Sequence, residues 1–145
     1  MQVCQIMSTD IQYVTPGSTV QTAAAKMRAF DVGVLPVCQG ALLVGILTDR
    51  DITVRVAAAG LPPNIVTVDE AMTGNPTACR ETDEVSDAAR LMEELQVRRL
   101  PVTDGNDQLV GIISLADIAE RTGDERLMAQ VLEQVCEPGR VPSFP

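Results

Sequence analysis

Apolar residues recur along this chain with a helical period in some stretches and as short unbroken runs in others, and the whole pattern occurs twice. In the first occurrence Val20, Ala23, Ala24 and Met27 fall at i, i+3, i+4 and i+7, the spacing of one helical face, with Ser18 and Gln21 at capping-box separation before them. Val32 to Val37 and Leu42 to Leu47 read as strands about a turn at Gln39-Gly40, and Thr48 opens a helix that runs to Gly60, a residue suited to end it. In the second occurrence Asp83 is the expected N-cap, and Val85, Ala88, Ala89 and Met92 rebuild the stripe. Val97 to Val102 and Leu109 to Ile113 then flank the turn Asp104-Gly105-Asn106-Asp107, and Ser114 opens the closing helix. A short extended segment precedes each stripe, around Tyr13-Val14 and around Ala78-Cys79, so each unit reads β-α-β-β-α. The apolar runs Leu42 to Leu47 and Leu109 to Ile113 predict buried strands. Pro36 and Pro101 place their strands at an edge or an irregular end, because proline donates nothing to a sheet ladder.

The two occurrences align without a gap at an offset of 65 positions from Met7 to Val37, and at 66 from Leu43 onward after one inserted residue. A repeat of this length, present twice, predicts an α+β fold of two half-modules packed about a pseudo-twofold axis rather than a solenoid. The expected bounds are a first repeat with an N-terminal extension over 1–61, a linker over 62–66, a second repeat over 67–122, a C-terminal helix over 123–137 and a loose tail over 138–145. The linker contains Leu61-Pro62-Pro63-Asn64, and Thr67 with Glu70 has capping-box spacing for a short helix through Met72. The C-terminal helix carries Leu127, Met128, Val131, Leu132 and Val135 on one face. Core packing and a surface for a second chain are both open for that face.

Composition narrows the chemistry. The net charge is −9 and Lys26 is the one lysine among eleven basic residues, which opposes binding to nucleic acid or to an anionic membrane. The chain has no histidine, so the usual general base and the commonest zinc ligand are both missing, and no enzyme, cofactor or metal site is expected. Aromatic residues make up 2%, too few for base-stacking platforms. No apolar run approaches the roughly 18 residues of a membrane span, and the first residues lack the order of a signal peptide, so a cytoplasmic location is expected. Cys4, Cys38, Cys79 and Cys136 show no CxxC spacing and read as small buried hydrophobes.

The stretches Asp31-Val32-Gly33-Val34-Leu35-Pro36-Val37 with Gly45-Ile46-Leu47-Thr48-Asp49-Arg50-Asp51-Ile52, and Val97-Arg98-Arg99-Leu100-Pro101-Val102 with Gly111-Ile112-Ile113-Ser114-Leu115-Ala116-Asp117-Ile118, resemble tandem CBS domains. The resemblance covers roughly residues 3 to 122 and extends to small bacterial CBS-pair proteins of the hypoxic-response type. It implies a Bateman module whose two crevices, between the repeats, bind adenine nucleotides or related adenosyl compounds. Carried onto this chain, it implies that Asp51 and Asp117 accept from ribose hydroxyls and that Thr48 and Ser114 bind ribose or phosphate. Arg98 and Arg99 stand where relatives carry basic residues toward the phosphates. The first repeat departs here, having Gly33 and Val34 at those positions, with Arg50 as a cation from another direction.

Each of these residues also has a plain role. Thr48 with Asp51, and Ser114 with Asp117, have the spacing of helix N-caps, and Arg98 and Arg99 could end a solvated strand or pair with Glu93 and Glu94. The expected function is a stand-alone regulatory sensor of an adenine nucleotide, homodimeric, acting in trans on an unidentified effector protein. The alternative is a ligand-free dimerisation or protein-interaction module.

Overall fold

The computed structural model describes residues 1–135, so Cys136 and the expected tail lie outside the described residues. The chain forms two compact units whose divide does not follow the divide between repeats. One unit joins residues 10–77 to 105–109; the other joins residues 1–9 and 78–104 to the chain from 110 onward. The residues that precede the first repeat therefore pack with the second, and those that open the second, 66–77, pack with the first.

In the first of these units, helix α1 (Val20–Phe30) is followed by strands β1 (Val34–Gln39) and β2 (Leu42–Thr48). Helix α2 (Asp49–Asp51) comes next and runs on without a break as a π-helix, Ile52–Ala57. Helix α3 (Val68–Ala71) and strand β3 (Thr73–Gly74) close the unit, with sheet order β1-β2-β3 and both pairings antiparallel. The expected extended segment contributes only Val14, bridged in parallel to Val37. Val14 donates to the Pro36 carbonyl at 3.0 Å and accepts from Cys38 at 2.9 Å. Pairing stops there, so the donor that Pro36 lacks falls on an open edge, as its position in the sequence requires.

The other unit repeats this plan. Strand β4 (Cys79–Arg80) runs parallel to β5 (Arg99–Thr103), which neighbours β6 (Leu109–Ser114), and helices α4 (Val85–Leu95), α5 (Leu115–Thr122) and α6 (Glu125–Val135) complete it. The far edge is closed by Ser8, bridged antiparallel to Ile112, where the first unit has Thr73 against Ile46. Two glycines make room for these closing segments. A Cβ on Gly45 would run into the Met72 sulfur and come within 3.1 Å of the Thr73 carbonyl, and one on Gly111 would meet Met7 in the same way. Each sheet thus accepts a methionine where the strand beside the closing segment has no side chain.

The helix stripes are buried as their period predicts, with Val20, Ala23 and Met27 in α1 and Val85, Ala88, Ala89 and Met92 in α4, except that Ala24 is only half-buried. Each fully buried chain of this size, such as Leu35, Leu47 or Met92, stabilises its unit by roughly 1.5–3 kcal/mol. In α6, Leu127 and Met128 pack against the core while Leu132 stays exposed; the side chains of Val131 and Val135 are outside the description.

Several local expectations are corrected. Thr19, not Ser18, caps α1, its hydroxyl accepting from Thr22 N–H at 3.1 Å, while Ser18 Oγ lies 2.9 Å from Thr15 Oγ1. Glu84, not Asp83, stands at the N-cap position of α4, and the Asp83 carboxylate accepts from Arg80 N–H at 2.8 Å. The cause is non-local: Thr19 is bridged to Thr67 and Glu84 to Gln2, which keeps the chain extended one residue further than the local pattern suggests. Thr67 makes no side-chain cap to α3, which ends at Ala71. β1 and β5 start two residues later than expected because Asp31 and Gln96 take left-handed conformations (φ 52° and 55°), and Val32 and Val97 still donate to the helix carbonyls of Met27 and Met92. β2 and β6 are buried on one face only, through Gly45 and Leu47 and through Gly111 and Ile113. Cys38 and Cys79 are buried but Cys4 is exposed.

The capping correction is testable by urea denaturation. Thr19→Ala should cost about 1 kcal/mol, the usual loss of an N-cap hydroxyl, while Ser18→Ala should cost less than half of that.

Candidate functional site

The last residue of β2 is also the first capping residue of the helix that follows. Thr48 N–H donates to Asp51 Oδ2 at 2.9 Å and Asp51 N–H donates to Thr48 Oγ1 at 3.0 Å. Ser114 and Asp117 do the same at the end of β6, at 2.8 and 3.0 Å. Both pairs are therefore complete capping boxes, and the plain reading of these four residues is correct as far as it goes. Each box uses one carboxylate oxygen, Oδ2. In the first unit the other oxygen of Asp51 lies 3.8 Å from Arg55 Nη2. A carboxylate held this rigidly, with an oxygen left over, can still accept from a hydroxyl pair.

A second bond fixes where each helix begins. Asp49 N–H donates to the Gly33 carbonyl at 2.9 Å, and Leu115 N–H donates to the Arg98 carbonyl at 2.8 Å. Gly33 and Arg98 are thus equivalent in structure as well as in alignment, and so are Asp49 and Leu115. Thr48, Asp51, Arg50, Gly33 and Val34 gather in one unit, and Ser114, Asp117, Arg98 and Arg99 gather in the other. Arg98 and Arg99 are exposed at the start of β5, and among the described residues no ion pair joins them to Glu93 or Glu94. Arg50 is exposed; its amide donates to Asp49 Oδ1 at 2.8 Å.

Two residues at the first junction had no assigned role from the sequence. Asp49 projects its carboxylate over Gly33, with Oδ2 2.8 Å from where a Cβ would sit. Its signal was the pairing of Asp49 with Leu115 at offset 66, an acid against an apolar residue. Arg55 donates through Nη1 to the carbonyls of Ala71 at 2.9 Å and Met72 at 3.0 Å, and through Nη2 to Thr73 Oγ1 at 3.3 Å. Its four-residue spacing from Asp51 was visible, but its reach to the end of α3 was not.

The CBS domain family matches this chain over residues 3–58 and again over 68–123. Hypoxic response protein 1 of Mycobacterium tuberculosis is 37% identical over 134 residues, 92% of each chain. Its crystal structure with two coordinated zinc ions superposes with a TM-score of 0.77, covering 83% of this chain and 98% of that one at 38% identity. The CBS domain-containing protein YhcV of Bacillus subtilis is 42% identical over 117 residues, 78% of this chain and 79% of its own. CBSX2 of Arabidopsis thaliana, crystallised in complex with AMP, superposes with a TM-score of 0.73 at 26% identity, covering 86% of this chain and 98% of that one.

Among the described residues no group of three or more cysteines and carboxylates is placed to hold a metal ion, and no helix is long and apolar enough to cross a membrane. The two buried thiols are also poor nucleophiles. Burial raises the pKa of Cys38, and burial together with the negative charge of Asp83 pushes Cys79 up to about 11. A thiol that holds its proton longer when folded than when unfolded adds stability below its ordinary pKa of 9.0 and loses it as pH rises toward 11. Denaturant titrations between pH 8 and 11 should therefore show an alkaline loss of stability that is smaller in Cys79→Ala. Iodoacetamide at pH 8 should label Cys4 well before Cys38 or Cys79.

Proposed function

The chain belongs to the CBS domain family, with two such domains in tandem, and we propose that it is a regulatory module that senses an adenine nucleotide. The observation that carries this reading is the recurrence of one rigid junction in both units. Each presents a hydroxyl and a carboxylate locked by a capping box, with Oδ1 of the carboxylate outside the box. Asp117 and Asp51 would accept from the ribose hydroxyls, and Ser114 and Thr48 would lie against ribose or phosphate. Arg98 and Arg99, exposed beside Ser114, would carry the phosphates through their planar forks. The binding of AMP by CBSX2 supports the choice of nucleotide. No catalytic role is assigned: the chain has no histidine, and its buried thiols are held protonated. Occupancy would be read by a partner protein, with the two carboxylates as the points where a ligand changes the balance of bonds.

The completed capping boxes favour a second reading, in which these residues only start helices and the protein serves as an interaction module. A thermal-shift series with AMP, ADP, ATP, NAD and S-adenosylmethionine separates the two. A true ligand at 100 times its dissociation constant adds about 2.7 kcal/mol of stability, whereas an interaction module shows no shift with any of them. Calorimetric titration should then show Asp117→Ala weakening the nucleotide by roughly 1.5–3 kcal/mol, about ten- to a hundredfold. Asp117→Asn keeps an acceptor for Ser114 N–H and separates lost binding from a lost cap. Unchanged isotherms for both variants would leave Asp117 as a helix-start residue.

We also propose that the protein is a homodimer formed through its helices. α5 and α6 flank an open groove of about 380 Å³ lined by Ala119, Gly123, Glu125, Met128, Ala129 and Leu132, and Phe30 and Leu95 are exposed at equivalent ends of α1 and α4. Symmetric pairing is the commonest way for such surfaces to be covered. Light scattering on a sizing column should give twice the chain mass; a value near 15.5 kDa at micromolar concentration would overturn this assignment.

A further inference from the structure

The two junctions share a backbone and differ in charge. At the first, the stretches Gly33-Val34 and Thr48 to Asp51 hold two carboxylates, Asp49 and Asp51, and one guanidinium, Arg50. At the second, Arg98-Arg99 and Ser114 to Asp117 hold two guanidinium groups and one carboxylate, Asp117. Arg55 and Arg121 are equivalent in alignment, although Arg55 lies in the π-helix and is engaged with Asp51 and the carbonyls of Ala71 and Met72.

The difference also reaches the helix amides. The first amide of each helix is bound by the carbonyl just before the strand, of Gly33 or Arg98, and the third by the capping hydroxyl of Thr48 or Ser114. Only the second amide could meet a ligand oxygen. At the second junction this is Ala116 N–H, from which nothing accepts among the described residues. At the first it is Arg50 N–H, already given to Asp49 Oδ1 at 2.8 Å. Asp49 therefore acts twice against a phosphate: it adds a negative charge, and it occupies the one amide a phosphate oxygen would use. It also fills the space over Gly33 where a side chain corresponding to Arg98 would begin.

We propose that Asp49 closes the first junction to phosphate. A ligand held by Thr48 and Asp51 is then an adenosine whose 5′ substituent is neutral or cationic, while the phosphorylated nucleotide is confined to Ser114, Asp117, Arg98 and Arg99. This rests on the nucleotide-sensing reading above, and it adds that the two sites of one chain take ligands that differ in charge.

Equilibrium dialysis of the full chain against labelled AMP and labelled adenosine tests it. The wild type should bind one AMP per chain, and Arg98→Ala with Arg99→Ala should remove that AMP while an adenosine site persists. Asp49→Asn, which loses the charge but keeps an acceptor for Arg50 N–H, should strengthen AMP at the first junction by about five- to tenfold. Asp49→Leu copies Leu115, frees the amide as well, and should give a larger gain and a second AMP per chain. The gain from Asp49→Asn should shrink with added salt, because Asp49 is exposed. Two equal AMP sites in the wild type, or AMP binding unmoved by both Asp49 variants, would overturn the proposal while leaving nucleotide sensing intact. A wild type that binds neither AMP nor adenosine would overturn both.

Discussion

Each sheet is completed by a segment that its own repeat does not supply. Ser8 pairs with Ile112 and Thr73 pairs with Ile46, so the edge next to β6 is closed from the start of the chain and the edge next to β2 from the start of the second repeat. The backbone groups of β2 and β6 would otherwise lie unpaired, and an open edge of that kind invites aggregation. The rest of each unit is arranged to receive the incoming segment. Gly45 and Gly111 leave space for Met72 and Met7, and Arg55 holds the carbonyls of Ala71 and Met72 at the end of a helix only four residues long. A helix that short does not stand by itself in water, so its position is set by the residues that grip it.

The same strands that receive these segments deliver the candidate site at their other end. β2 and β6 finish in Thr48 and Ser114, and the capping boxes fix the angle at which the chain turns into its helix. The geometry that orients Asp51 and Asp117 is thus a folding device first, and its use for binding requires only that one carboxylate oxygen be left over. Side chains that make no hydrogen bond in the structure, such as Arg98 and Arg99, then vary between the copies without disturbing the frame, whereas Leu115 is buried in the core of its unit where its counterpart Asp49 is exposed. After helix Asp49–Asp51 the first copy continues as a π-helix, whereas α5 is regular throughout, so the backbones diverge only beyond the shared box.

Much of this was legible in the residues. The repeat, the stripes of α1 and α4, the hairpin turns and the helix starts at Thr48 and Ser114 all follow from period and spacing, which are local properties. What was missed depends on contacts distant in sequence. Ser18 and Thr19 are equally good capping residues on local grounds, and the bridge from Thr19 to Thr67 decides between them. The strand starts moved because Asp31 and Gln96 adopt left-handed turns, a conformation that aspartate favours only weakly and that glutamine does not announce. Cys4 was grouped with the buried cysteines by type, although it lies in the short opening helix Val3–Gln5, where Val3 turns inward and Cys4 outward. The charge over Gly33 needed the fold, because the alignment pairs Asp49 with Leu115 but does not show that Asp49 lies against Gly33.

The exchange of closing segments has a consequence for a chain made one residue at a time. The first unit is finished only after residues 67–77, and then 105–109, have been added, so the first repeat cannot complete its sheet as soon as its own sequence exists. Residues 1–9 wait longer, since their partners at Glu81 to Val85 and at Ile112 are made well after them. A segment made ahead of the first unit is thus set in place after it, so this part of the chain departs from folding in the order of synthesis.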